Sequence, residues 1–150
     1  MAIEVRLEPA QESDFDQLVG LRMRSMRPSL EHINRFDPDR VRQRFRAEFR
    51  PAFTRLIYAD AGALLGCVAM GPLAGDELWL QHFYLEPTAS GRGVDSQVMS
   101  TLMAEADTAR RVVLLDVLAE SDAKRFYERF GFVETHRDAI DIYMKREPVA

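Results

Sequence analysis

The sequence predicts an α/β fold, a single domain over residues 1–150 in which helices flank a mixed central sheet, with the order β-α-α-β-β-β-α-β-α-β-β. Three observations support this prediction. Several short runs alternate apolar and polar residues, as half-buried strands do, and others repeat apolar residues every three or four positions, as amphipathic helices do. The chain has 150 residues, 47% of them hydrophobic and 29% charged, which is ordinary for one globular domain.

The first elements are a strand and two helices. The alternation over Ile3–Glu8 predicts a strand. Ser13 opens a helix whose regular part we expect to end at Pro28. Asp37 is an N-cap with Pro38 at the first helical position, so a second helix begins there. Its apolar residues recur every four positions: Val41, Phe45 and Phe49.

The middle of the chain predicts a hairpin, a third strand and a helix. Thr54–Ala59 and Ala63–Met70 are strands joined by a short glycine-containing turn, and Glu77–Leu85 is the next strand. A turn with two glycines then leads into a helix. The apolar positions of this helix are Val98, Leu102 and Ala106.

The last third predicts a strand, a helix and two more strands. Val112–Leu118 is nearly all apolar, as expected for a strand that is covered on both faces. Ser121 caps a helix that ends at Gly131. Its apolar positions follow the helical period: Ala123, Phe126, Tyr127 and Phe130. The strands Phe132–His136 and Ile140–Lys145 complete the chain.

Composition excludes several classes of protein. The single cysteine, Cys67, cannot form an internal disulfide, and we expect it to be a buried apolar residue. Three scattered histidines disfavour a zinc site, so we expect no metal. No apolar run reaches the roughly 18 residues of a membrane helix. Met1–Ala10 is too charged for a signal peptide, which predicts a cytoplasmic protein that does not bind membranes.

Charge is distributed unevenly along the chain. The formal net charge is −4, yet the window from Arg22 to Arg55 holds ten arginines and four acidic residues and is therefore +6. The remainder is −10. Arginine binds carboxylates and phosphates through two parallel hydrogen bonds, so this window indicates either an anion-binding surface or a solvated helix face.

The segment Leu85–Ser96 passes from strand to helix through two glycines. Glycines let backbone amides approach a ligand, and a helix start offers free N–H groups and a positive dipole end. Ser90–Asp95, preceded by Tyr84-Leu85-x-Pro87, resembles motif A of the GNAT superfamily of acyl-CoA-dependent N-acyltransferases. Ala123–Phe132, with its aromatic-Tyr-x-x-x-Gly-Phe core, resembles motif B of the same superfamily.

The resemblance covers essentially the whole chain and implies an N-acetyltransferase that uses acetyl-CoA. It implies that the turn binds the coenzyme A pyrophosphate through Ser90, Gly91, Arg92, Gly93, Val94, Asp95 and Ser96. It also implies that the pantetheine arm binds to the backbone of Phe83, Tyr84 and Leu85. Tyr127 would protonate the departing thiolate, a step for which a phenol of ordinary pKa, about 10, is suitable.

Two residues depart from the family pattern, Gln/Arg-x-x-Gly-x-Gly/Ala. Ser90 stands at its first position and Asp95 at its last, whereas Gly93 is retained. A carboxylate about 5 Å from a phosphate charge, at an effective dielectric constant near 20, is repelled by roughly 3 kcal/mol. We therefore expect Asp95 to weaken cofactor binding unless Arg92 offsets it or the carboxylate turns outward.

The acceptor pocket of this superfamily usually involves the first two helices, which here are rich in arginine. We expect an acceptor amine that carries an anionic group. The residues predicted to bind it are Arg22, Arg24, Arg35, Arg40 and Trp79. The predicted general base is His82, whose intrinsic pKa suits the role, with Glu77 or a chain of water molecules as alternatives.

Three functions remain open from the sequence. The first is an acetyltransferase that acts on a small-molecule amine. The second is a GNAT-like fold with weakened or lost catalysis that binds or senses acyl-CoA. The third is an anion- or nucleic-acid-binding module that uses the arginine-rich helix; the acidic composition, with a pI near 5.4, disfavours nucleic acid. A homodimer is also an open alternative.

Overall fold

A computed structural model of the chain describes residues 3–32, 37–73 and 75–150, without the side chains of residues 27–32. The predicted order of elements and the α/β fold class are confirmed within these ranges. The elements are β1 (Val5–Pro9), α1 (Phe15–His32), α2 (Pro38–Glu48), β2 (Thr54–Ala59), β3 (Leu64–Pro72), β4 (Leu78–Leu85), α3 (Val94–Ala109), β5 (Val113–Leu118), α4 (Ala123–Glu128), β6 (Val133–Arg137) and β7 (Asp141–Arg146).

The strands hydrogen-bond in the order β1-β2-β3-β4-β5-β7-β6. β4 and β5 run parallel, whereas the ladders β1–β2, β2–β3, β5–β7 and β6–β7 are antiparallel, so the sheet is mixed. The chain divides into two compact units. The first unit is Met1–Ala69 with His82–Gln97, and the second is Met70–Gln81 with Val98–Ala150.

Helices α1 and α2 of the first unit pack through phenylalanine rings. The predicted cap of α2 is confirmed, because the Asp37 side chain accepts a hydrogen bond from the Arg40 amide and Pro38 follows it. The rings of Phe15, Phe45 and Phe49 lie with their centroids 5.3–5.8 Å apart. The four-residue apolar period therefore faces the core, and the arginines between those positions are exposed.

Helix α1 does not end where the sequence predicted. It continues through Pro28 to His32, so the predicted end of its regular part at Pro28 is wrong. A proline inside a helix removes its own N–H donor and crowds the preceding turn, at a cost of about 3 kcal/mol. The fully buried Leu18 and Leu21 anchor the helix upstream, and such tertiary packing can outweigh an unfavourable local propensity.

The second unit holds β5, β6, β7 and α4, together with most of α3, the end of β3 and the first half of β4. The predicted apolar positions of α3, Val98, Leu102 and Ala106, are buried. The prediction that β5 is covered on both faces is wrong, because Asp116 is exposed while Val113 and Leu115 are buried. One face of β5 therefore carries the core. No helix within the described ranges is both long and apolar enough to cross a bilayer.

Candidate functional site

The turn between β4 and α3 combines two glycines in the left-handed region with the start of a helix. A short 3-10 helix, Pro87–Ala89, follows β4, and α3 begins at Val94. Gly91 and Gly93 have φ values of +74° and +78°, in the left-handed region that glycine tolerates best. The first amides of α3 have no acceptor within the helix, so they and the positive dipole end face the turn. This backbone suits a phosphate group.

Hydrogen bonds link the turn to the chain segment that precedes β1. The amide of Ile3 donates a hydrogen bond to the carbonyl of Arg92 at 3.2 Å. The side-chain amide of Gln97 donates to the carbonyl of Ile3. The two bonds place the N-terminal segment directly against the turn, which limits how far the backbone of Arg92 can move.

Asp95 occupies the first turn of α3. Its Oδ1 accepts a hydrogen bond from the amide of Ser96 at 2.8 Å, and the residue is partly buried. The carboxylate therefore engages one of the donors that the resemblance assigns to the pyrophosphate. It also places a negative charge at the position where a phosphate charge is expected.

Strand β4 changes conformation at His82. This residue has φ +51°, which is uncommon for any residue other than glycine. The parallel ladder with β5 pairs Leu78 with Val113 and Trp79 with Leu114, so it does not include the segment 83–85. That segment is the one whose backbone is predicted to bind the pantetheine arm.

Strands β3 and β4 approach closely beside the same segment. A Cβ atom built on Gly66 would overlap the carbonyl oxygen of Tyr84 and would lie 2.8 Å from Leu85 Cδ2. The amide of Glu86 donates to the carbonyl of Leu65 at 2.7 Å. Only glycine fits at position 66 without displacing the backbone of Tyr84.

The His82 side chain is buried among polar and aromatic groups of the first unit. Its Nδ1 lies 3.3 Å from the hydroxyl of Tyr84, and its Nε2 lies 3.8 Å from Glu48 Oε1. The ring also meets the edge of Phe45, with the centroids 5.1 Å apart. Burial, and to a lesser extent the charge of Arg22, lower the pKa of His82 to about 4. His82 is therefore neutral at pH 7.

Arg22 lies beside His82 and is also buried, with 8% of its side chain exposed. Its guanidinium carbon is 5.5 Å from the ring centroid of Phe45 and 5.4 Å from that of Tyr84. Its Nη1 lies 3.9 Å from Glu48 Oε1. Within the described part of the chain, neither Arg22 Nη1 nor His82 Nε2 has a hydrogen-bond partner.

The other predicted acceptor residues lie in different surroundings. Arg24 forms a two-bond pair with Glu86, both distances 2.8 Å, and this hydrogen bonding raises the pKa of Arg24. Arg40 is exposed at the start of α2, and Arg35 lies outside the described residues. In the second unit, Trp79 is half-buried and Glu77 is exposed.

Tyr127 lies on α4 in the second unit and is half-buried. Its ring contacts Phe126 and Phe132 edge to face, with centroids 5.1 and 5.7 Å away. Its carbonyl accepts hydrogen bonds from the amides of Phe130 and Phe132, which close the helix before Gly131 turns the chain at φ +96°. The aromatic residues of the second motif therefore fix the position of the Tyr127 ring.

Cys67 is a buried apolar residue, as predicted. It is fully buried, and desolvation raises the pKa of its thiol to about 12. The thiol donates a hydrogen bond to the carbonyl of His82 at 3.3 Å. Because a thiol in this environment stays protonated, Cys67 is unsuited to act as a nucleophile.

Two residues of this region did not emerge from the sequence. Glu48 is the one acidic residue in the last two turns of α2, and it lies three positions after the buried Phe45. Gly66 stands inside an apolar strand, where glycine often marks a close backbone approach. These two features could have been recognised in the sequence. Neither predicts the neighbour, because His82 is distant in the chain from Glu48 and Tyr84 is distant from Gly66.

The chain was compared with known families and structures. A family model described as an acetyltransferase (GNAT) domain matches residues 52–134. No curated protein sequence matches the chain.

Three solved structures illustrate the similarity of fold. The ribosomal-protein-S18-alanine N-acetyltransferase from Escherichia coli has a TM-score of 0.75 and 16% identity, over 98% of this chain and 96% of that one. The PaiA N-acetyltransferase from Thermoplasma acidophilum, in complex with coenzyme A, has a TM-score of 0.71 and 14% identity, over 97% and 99%. Ard1 from Thermoplasma volcanium has a TM-score of 0.70 and 18% identity, over 97% and 99%.

Proposed function

Because this chain belongs to the GNAT acetyltransferase family, we propose that it moves the acetyl group of acetyl-CoA onto the primary amine of a small molecule that carries an anionic group. The observation that carries the proposal is the turn before α3, where two glycines with positive φ lead directly into the free amides of a helix start. The buried Arg22 supports an anionic group on the acceptor.

The residues of the turn fit the cofactor that the family uses. Gly91, Gly93 and the amides of Val94 and Asp95 would hold the pyrophosphate, and the backbone of the segment 83–85 would hold the pantetheine arm. Acetyl-CoA supplies an acetyl group already activated as a thioester. The protein then has to position the amine, remove its proton and return a proton to the sulfur.

Removal of the ammonium proton is assigned to His82, which is neutral at pH 7 and so has a free lone pair. A group with a pKa of about 4 does not retain a proton taken from an ammonium group, whose ordinary pKa is about 10. The proton therefore has to reach solvent, and Glu48, whose Oε1 lies 3.8 Å from His82 Nε2 and whose side chain is half-exposed, would relay it to bulk water. Glu77 and a water chain remain the alternative bases.

Tyr127 is assigned as the acid that protonates the departing thiolate. The assignment rests on its place in the second motif and on the packing of its ring against Phe126 and Phe132. A positioned acid or base typically contributes a factor of about 10² to 10⁴ to the rate. Tyr127→Phe keeps the ring and removes only the proton donor.

A second function, an acyl-CoA binder with weak or no catalysis, is favoured by one observation. The carboxylate of Asp95 bonds the Ser96 amide and so competes with a phosphate for that donor. The arginines of α2, in contrast, give little support to nucleic-acid binding. Arg42 pairs with Asp16 at 2.7 Å and Arg46 with Glu12 at 2.6 Å.

A thermal shift with acetyl-CoA separates binding from no binding. At a hundred times its dissociation constant a ligand stabilises the folded state by roughly 2.7 kcal/mol. We expect a clear rise in Tm at millimolar acetyl-CoA, and no rise would contradict the proposal. Release of free thiol over an amine panel then separates the enzyme from the binder. We expect Tyr127→Phe to slow this release about a hundredfold, whereas the control Tyr58→Phe keeps the native rate.

A further inference from the structure

We propose that Arg22, Glu48 and His82 form the acceptor site and that the acceptor is a zwitterion, an α-amino acid or a close analogue. Its carboxylate pairs with Arg22, and its ammonium group is bound by Glu48 and His82. This inference rests on the proposed function and names the substrate class of the same site. It is carried by two buried nitrogen atoms that lie next to one carboxylate oxygen.

The two nitrogen atoms are Arg22 Nη1 and His82 Nε2. Both are buried, and neither has a hydrogen-bond partner among the residues that the structure describes. Both side chains are more than nine-tenths buried, with 8% and 7% exposed. Leaving a buried polar group without a partner is unfavourable, and more so when the group is charged. Native proteins keep few such groups, so each calls for a partner.

The three groups do not supply that partner to one another. Glu48 Oε1 lies 3.9 Å from Arg22 Nη1 and 3.8 Å from His82 Nε2. These separations exceed the roughly 3.2 Å limit of an N–H···O bond, so the three groups do not satisfy one another. A polar atom about 2.9 Å from each member of such a pair fits between them. A ligand that enters beside the half-exposed Glu48 would therefore meet a cation, a carboxylate and a neutral imidazole together.

The charges select the kind of ligand. A simple anion would be attracted to Arg22 but repelled by Glu48, and a simple amine would meet the reverse. A molecule whose positive and negative groups lie about 3 Å apart satisfies both residues at once, because opposite charges at this distance attract strongly in a partly buried site. An α-amino acid has its ammonium and carboxylate groups on one carbon and meets this requirement.

The surroundings hold Arg22 in place and leave only the Glu48 side of the cluster exposed. The guanidinium of Arg22 lies over the rings of Phe45 and Tyr84, which hold it away from solvent. Glu48 is half-exposed, with 51% of its side chain accessible, so the ligand can enter on that side. His82 precedes the segment 83–85 directly in the chain, which places the ammonium group next to the strand predicted to carry the pantetheine arm.

The test is a set of matched acceptors. Leucine, phenylalanine, histidine and glutamate would each be compared with the amine formed by decarboxylation, and the release of thiol from acetyl-CoA would be measured for every compound. We expect kcat/KM to be at least a hundredfold higher for the amino acids. Equal rates for the members of each pair would overturn the inference while leaving the acetyltransferase proposal intact.

Two variants assign the preference to the named residues. Arg22→Met should abolish the preference for the amino acid, and Glu48→Gln, which keeps the shape of an exposed side chain, should raise KM about tenfold or more. The control Arg44→Met, an exposed position on the same helix as Glu48, should change neither. If the preference for the amino acid survived both Arg22→Met and Glu48→Gln, other residues would be its source and the inference would be overturned.

Binding without turnover gives an independent measurement. Thermal shifts with the same amino acids and amines, in the presence of coenzyme A, report on the site even if catalysis is absent. Stabilisation by the amino acids alone supports the zwitterion site. Stabilisation by neither set, or equally by both, contradicts it. Failure of the proposed enzymatic function would appear instead as no thiol release with any acceptor.

Discussion

His82 and Asp95 are titratable groups whose surroundings determine what they can do. His82 has a left-handed backbone and a buried ring, and it faces Arg22, Glu48 and Tyr84. Strained backbone of this kind is concentrated at functional sites, where the surrounding structure holds it. Asp95 turns its carboxylate to the amide of Ser96 in the first turn of α3. In both cases the neighbouring groups, rather than the residue type, determine which protons and ligands the side chain can bind.

The burial of His82 predicts a specific loss of stability in acid. The pKa of His82 is about 4 in the folded chain and about 6.5 when unfolded. Below pH 6.5 the unfolded chain therefore takes up a proton that the folded chain does not. The free energy of unfolding therefore decreases as the pH drops from about 6.5 to about 4. The total loss over this interval is roughly 3 kcal/mol. Urea unfolding at pH 7.5 and 4.5 measures it.

A histidine variant isolates the contribution of this residue. His82→Gln should lose most of the pH dependence over this interval, and the exposed His136→Gln should retain it. If the His82 variant lost stability between pH 7.5 and 4.5 as steeply as the native chain, the ring would not be the source.

Asp95 is expected to limit cofactor affinity. Asp95→Gly removes a negative charge beside the predicted diphosphate position and frees the Ser96 amide. We expect acetyl-CoA to bind more tightly, by up to about a hundredfold if the full repulsion of roughly 3 kcal/mol is relieved. Calorimetric titration measures the change. Asp95→Asn, which keeps the shape, should show most of it, and unchanged affinity in both variants would mean that the carboxylate does not face the ligand.

At the scale of elements, the close packing of β3 and β4 shapes the strand that is predicted to bind the pantetheine arm. Gly66 allows β3 to approach the carbonyl of Tyr84, and the Glu86–Leu65 bond holds the end of the strand. Arg24 of α1 is tied to Glu86 of the same segment. The helix predicted to lie at the acceptor is thereby linked to the segment that leads into the turn.

Gly66→Ala should disturb this segment. The added Cβ would collide with backbone, which cannot move aside as a flexible side chain does. We expect a loss of stability of about 1–3 kcal/mol and weaker binding of acetyl-CoA, measured by urea unfolding and titration. Gly20→Ala is the control. Its Cβ meets the movable end of Arg24 within α1, and alanine favours a helix by up to about 1 kcal/mol, so stability should not fall.

At the scale of the whole molecule, the distribution of charge in the structure differs from the distribution along the sequence. The arginine-rich window is +6 in sequence, but Arg42 and Arg46 pair with Asp16 and Glu12, which precede that window. The positive surface is therefore smaller than the count of arginines indicates. The same two arginines lie over the ring of Phe15, so they also cover the phenylalanine cluster.

The phenylalanine cluster is expected to carry a large share of the total stability. Phe45 is 1% exposed and touches Phe15, Phe49 and His82. Phe45→Ala should cost about 3–5 kcal/mol, a large fraction of the 5–15 kcal/mol typical of a domain. Urea unfolding measures it. Phe53→Ala, at an exposed position, should cost about 1 kcal/mol or less, and a similar loss in both would show that the cluster is not special.

Local patterns were enough to predict most of the fold. The apolar periods, the Asp37-Pro38 helix start and the glycines of the two turns are properties of neighbouring residues, so they can be recognised without the rest of the chain. The same holds for the turn before α3. The errors, at Pro28 and at the outer face of β5, arose where packing against distant residues outweighed a local tendency.

What the sequence determined alone was therefore the order of elements, the family and the glycine turn that precedes α3. Only the tertiary structure decided which of the predicted arginines is exposed and which is buried. Arg24 forms an exposed pair with Glu86, 62 positions away, whereas Arg22 is buried beside His82 and Glu48, and its Nη1 has no hydrogen-bond partner among the described residues. Burial and pairing depend on groups that the fold brings together from distant parts of the chain. A local pattern cannot report them.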